Sequence, residues 1–72
     1  MQREWAAVDV LTVLGWYRGR VTLPAGGRLL DYLNSKPSHI ALTAVRDPEG
    51  RPHPFLAINT DQVLAIRDAA QE

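Results

Sequence analysis

Arg18 and Arg20 stand two residues apart. On an extended strand that spacing sends both guanidinium groups to one side. With Thr22 they form a stripe able to hold phosphate through charge-assisted hydrogen bonds. A solvated strand face uses the same spacing. Gly26-Gly27 precedes Arg28 and a helical stretch. Small residues ahead of a helix start can cradle an anion on free backbone N–H groups, and Arg28 would add charge. A plain flexible loop has the same composition. The two histidines are His39 and His53, the latter held between Pro52 and Pro54 with Asp47 and Glu49 upstream. These groups do not follow a metal-ligand spacing, and no metal or other cofactor is expected. Ser35 and Ser38 lie near His39, but no third group orients them in a recognisable nucleophile motif, so an enzyme is not expected.

The elements that would carry these residues are mostly strands. Residues 5–17 are rich in β-branched and aromatic side chains and read as one long strand with apolar groups on both faces over Val10–Leu14. On it Trp16 and Tyr17 point to opposite faces, one toward the core and one outward. Leu11, Val13 and Tyr17 share a parity and form a second apolar face, the candidate interface. Gly19 follows this strand. Val21 and Leu23 then alternate with Arg20 and Thr22 as a half-buried strand that Pro24 ends. Leu29, Leu30 and Leu33 give residues 28–34 an apolar helical side, with Asn34 as left-handed terminator and Pro37 blocking propagation. Two turns of helix do not survive alone, so this segment must dock on the sheet through those leucines.

His39–Arg46 is the third strand, with Ile40, Leu42 and Ala44 on one side. Asp47-Pro48-Glu49-Gly50 is a turn and residues 51–54 are extended. Residues 55–59 and 63–66 are the last two strands, joined by Thr60-Asp61-Gln62. Residues 68–72 read as a polar tail. The expected core is Val10, Leu14, Val21, Leu23, Leu33, Leu42, Leu56, Ile58, Val63 and Ile66.

Five short strands and one helix in 72 residues predict a mainly β fold: a small five-stranded antiparallel barrel as a single domain over residues 1–72. Hydrophobic residues make up 46% of the chain and charged residues 22%, the balance of a folded protein. Eight basic and eight acidic residues cancel, which excludes the strongly basic footprint of a dedicated nucleic-acid binder. The chain has no cysteine and therefore no disulfide or thiolate site. No apolar run is long enough to span a bilayer as a helix. Met1-Gln2-Arg3-Glu4-Trp5 has no cleavage pattern, so a cytoplasmic location is expected.

The strand order, the Arg18-Gly19-Arg20-Val21 stretch, the Asp-Pro-Glu-Gly turn and Ile58-Asn59-Thr60-Asp61-Gln62-Val63-Leu64-Ala65-Ile66 together resemble the Sm-like small-barrel family, over roughly residues 8–66. Asn59-Thr60-Asp61-Gln62 stands where that family has its very short turn before a Val/Ile-rich last strand. The resemblance implies an Sm/SH3-like barrel and an RNA-binding ring. The helical insertion at 28–34 departs from the family. Asp31-Tyr32-Leu33-Asn34 has the spacing of the family's nucleotide loop but sits on that helix. Arg28-Leu29-Leu30-Asp31-Tyr32-Leu33-Asn34 also looks like a segment found in short bacterial proteins, from which no site is carried over.

A chain this short builds a small core and has no disulfide to reinforce it, so a second copy is the expected partner, as a homodimer or higher assembly. The expected function is a small non-enzymatic interaction module. The alternatives are an Sm-like RNA-binding protein and a small-ligand or nucleotide sensor using the Gly26-Gly27 loop.

Overall fold

A computed structural model describes residues 5–23 and 28–69. Strands β1 (Trp5–Thr12), β2 (Gly15–Thr22), β3 (His39–Arg46), β4 (Pro52–Asn59) and β5 (Ala65–Asp68) form one antiparallel sheet in the order β4-β3-β2-β1-β5. Helix α1 (Leu29–Asn34) lies between β2 and β3, and a single 3₁₀ turn (Thr60–Gln62) joins β4 to β5. No helix among the described residues is long and apolar enough to cross a membrane.

The sheet is rolled. Laid flat, β4 and β5 would be four strand spacings apart, about 19 Å. The chain from Asn59 to Ala65 reaches roughly 17 Å at full stretch, because three of its residues are wound into the 3₁₀ turn. Strands that are not neighbours accordingly face one another. Ile40 of β3 and Ile66 of β5 line one cavity, and Tyr17 of β2 and Leu56 of β4 line another. Among the described residues no ladder joins β4 to β5, so the roll stops short of the closed barrel expected from sequence.

The long strand expected over residues 5–17 is a hairpin. β1 and β2 pair from Trp5↔Thr22 to Thr12↔Gly15, leaving Val13-Leu14 as the connection. Two-residue hairpin turns favour positive φ at their central residues. Val13 and Leu14 do not adopt it, and the positive φ falls on Gly15 instead, at 125°. Thr12 secures the turn by accepting a hydrogen bond from the Leu14 N–H at 3.1 Å. Leu14, expected in the core, is therefore a turn tip and 74% exposed. Gly19, expected between two strands, lies in mid-strand opposite Val8. A Cβ there would come within 3.2 Å of the Leu42 Cβ, so the missing side chain lets β3 pack closely over β2.

The core is a cluster of Val8, Val10, Val21, Ile40, Leu42, Val45 and Ile58. Leu23, Leu33, Leu56, Val63 and Ile66, also expected there, are half-buried against it. In β3 the inward series is Ile40, Leu42, Val45 rather than Ile40, Leu42, Ala44. The reason is a bulge: two steps on β2, from Arg18 to Arg20, face three on β3, from Thr43 to Arg46. Ala44, exposed and at φ 51°, is the residue whose left-handed backbone absorbs the extra step. Pro54 is tolerated in β4 because that strand is an edge.

Helix α1 forms where the leucine spacing placed it. Asp31 accepts from the Arg28 N–H at 3.3 Å at its start. It docks through Leu29, Tyr32 and Leu33, while Leu30, expected in that contact, points outward. Its end is capped by Ser35, and the left-handed residue is Lys36 at φ 56° rather than Asn34. The last strand begins two residues later than expected and runs to Asp68. Asp68 therefore belongs to the sheet, and Ala69 is buried just beyond it with its N–H bonded to the Ala7 carbonyl at 2.9 Å, so neither residue is a free tail.

Candidate functional site

Strand alternation sets the two faces of β1. Val8, Val10 and Thr12 point into the core, and Trp5, Ala7, Asp9 and Leu11 point out. Asp9 is nonetheless only 4% exposed. It sits between Arg18 on β2 and Arg67 on β5, its register partners on either side. Arg18 donates to it twice, from Nε at 2.7 Å and from a terminal nitrogen at 3.2 Å, and Arg67 donates from Nε at 3.2 Å. Hydrogen bonds from Arg18, and secondly from Arg67, hold the Asp9 carboxyl below its ordinary range against the opposing effect of burial.

Two tryptophans flank this pair of ion pairs. The Arg67 guanidinium lies 4.2 Å from the centroid of Trp16, and that of Arg20 lies 4.4 Å from Trp5. Both distances are within the range of cation–π attraction. Trp16 thus faces out and Tyr17 packs on the core, as their adjacency required. Of the outward residues described on β1, β2 and β5, the acid is Asp9 alone, set against Arg18, Arg20 and Arg67. Arg46 stands in register with Arg18 across the next ladder. This outer face is a basic and aromatic surface on a chain whose total charge is zero.

The candidate anion-binding residues separate. Arg18 and Arg20 do share the outer face. Arg28 is at the start of α1, away from the β1–β2 ladder in sequence and in element. Gly26 and Gly27 lie outside the described residues. Sequence reasoning missed Arg67, Asp9 and Trp5 as members of the face. The signal available was Asp9, an acid in an apolar run, which called for basic partners.

The candidate interface residues separate as well. Val13 and Tyr17 line one groove of about 220 Å³ with Leu14, Leu56 and Ala57, between the hairpin tip and edge strand β4. Leu11 is half-buried on the outer face, opposite Trp16 and Ala65. The groove is lined by two of the most exposed apolar groups described: Val13 is 75% exposed and Leu14 is 74% exposed.

The histidines serve local structure. His53 Nε2 is 3.0 Å from the Asp47 carboxylate, which also accepts from the N–H groups of Glu49 and Arg51, both at 2.9 Å. His53 first, then the Arg51 amide, hold the Asp47 carboxyl below its ordinary range. This one carboxylate organises the β3–β4 turn. His39 Nδ1 is 3.2 Å from the Ser38 hydroxyl on the surface, and the hydrogen bonds of that pair include no carboxylate to orient the ring. No family model, curated protein or solved structure matches the chain.

Proposed function

We propose that this protein is a non-enzymatic interaction module that works as a homo-oligomer. The observation that carries the reading is apolar surface placed beside both open sheet edges. Val13, Leu14 and Phe55 border the β4 edge, and Leu64, 64% exposed, precedes β5 at the other. Unpaired strand edges offer N–H and C=O groups to an added strand, and flanking apolar groups favour such a contact. A second copy is the occupant that fits. It brings the same two edges, and with zero net charge the copies do not repel one another at long range. The small core gives association a stabilising role.

Light scattering at micromolar concentration tests this. The expected mass is a multiple of 8.0 kDa that falls on dilution. The double substitution Val13→Glu and Leu14→Glu should give folded monomers, because both side chains already project from the turn. A wild-type mass of one chain, unchanged on dilution, defeats the reading.

The outer face supports a second reading, single-stranded RNA binding. Arginines that steer phosphate and exposed tryptophans that stack bases are the usual components of such a surface. Tryptophan fluorescence should be quenched by oligouridine at low salt, with affinity falling steeply as salt rises and falling further in Arg20→Ala. Absence of quenching at low salt removes this reading.

A further inference from the structure

A second cavity, of about 390 Å³, opens at the end of the roll beneath α1. Its wall is aliphatic: Leu33 from the helix, Pro37, Ile40 from β3, Val63, and Ile66 from β5. Its rim is polar, with Ser38, Thr60 and Lys36. The Thr60 hydroxyl is anchored on the Pro37 and Ser38 carbonyls, both at 3.0 Å, which ties the turn after β4 to the segment leading into β3. The size suits a small ligand, and an apolar interior with few polar groups at one end is the usual form of such a site.

Lys36 decides what kind of ligand. It is the single lysine of the chain and the one charged residue in the lining. It occupies the left-handed position after α1, at φ 56°, with its N–H bonded to the Leu33 carbonyl at 3.0 Å. That position usually falls to glycine. A cation just past the C-terminus of α1 also suits the helix dipole, and the same side chain lines the cavity. A single cation in the lining of a largely aliphatic cavity complements a molecule with an anionic head and a hydrocarbon body.

We propose that this cavity binds an aliphatic monocarboxylate, with the chain among Leu33, Ile40, Val63 and Ile66 and the carboxylate on the Lys36 ammonium. The site shares no lining residue with the hairpin-tip groove.

Octanoate, kept below its aggregation concentration, is the probe, titrated into ¹⁵N-labelled protein. Saturable amide shifts are expected at Ile40, Val63 and Ile66. Lys36→Gly should retain the fold, since glycine suits the positive φ, yet bind octanoate about tenfold more weakly. Lys36→Gln, which keeps a side chain, should show the same loss. In the wild type 1-octanol, which lacks the charge, should bind more weakly than octanoate. The proposal is overturned by an absence of saturable shifts or by shifts centred away from these residues. It is equally overturned if octanoate affinity is the same in wild type and both Lys36 variants, or if octanol binds as tightly as octanoate.

Discussion

Leu42→Ala is expected to destabilise the protein by about 2–5 kcal/mol. Leu42 is fully buried on β3, faces Leu56 across the β3–β4 ladder, and packs over Gly19 of β2. Its surroundings cannot close over the lost methyl groups, because the neighbouring β-branched side chains of Val8, Val10, Val21 and Val45 are stiff and hydrogen-bonded strands carry them. A domain of this length has a total stability of roughly 4–11 kcal/mol, so the substitution removes a large fraction of it. Thermal unfolding followed by circular dichroism should show a large drop in Tm or no cooperative transition. Leu42→Val keeps most of the volume and should lose about 0.5–1.5 kcal/mol, which gives a measurable value if the alanine variant does not fold. Leu30→Ala, on the outward side of α1, should stay within about 0.5 kcal/mol of wild type. A Leu42→Ala protein that melts near wild type would mean that the core is not centred on β3.

Gly15→Ala is expected to lose about 2–4 kcal/mol, a large effect for one added methyl group. Two independent penalties meet there. The φ of 125° is one that L residues rarely adopt, and the new Cβ would stand 2.9 Å from the Pro48 Cβ. Gly50 separates the two. It also has positive φ, at 84°, but its Cβ would meet nothing within 4 Å. Gly50→Ala should therefore show only the backbone penalty, about 1 kcal/mol. Pro48→Ala combined with Gly15→Ala should recover part of the difference in a double-mutant cycle. Equal losses at Gly15 and Gly50 would show that the β1–β2 turn does not touch the β3–β4 turn.

That turn-on-turn contact also explains which parts of the fold were legible in the sequence. The Asp47–Gly50 turn carries its own chemistry: an Asp whose side chain bonds two later amides, a proline and a glycine. It was readable. The Val13-Leu14 turn has no such residues. Its geometry depends on Gly15 one position later, and two β-branched or aliphatic residues at a turn tip look like strand interior. Continued as strand interior, the alternation puts Leu14 in the core and Leu11, Val13 and Tyr17 on one face. Helix α1 was legible because leucine spacing and Pro37 bound it on both sides. The bulge at Ala44 was not, because an alanine at positive φ leaves no mark in the sequence. The outer face was half legible. Arg18 and Arg20 have a local spacing, whereas Asp9–Arg67 is a contact across 58 positions that only the strand order reveals.

The strand order has a consequence for how the chain becomes a protein. The β1–β2 and β3–β4 ladders each join strands close in sequence and can form as soon as their residues exist. The β1–β5 ladder cannot. At ordinary translation speeds Arg67 is made roughly 3–12 s after Asp9. Through that interval β1 keeps one edge open and the Asp9 carboxylate on its outer face has one of its two arginine partners. Of the four ladders this one closes the longest loop and so carries the largest chain-entropy cost, and until β5 arrives the outer edge of β1 is a bare strand edge.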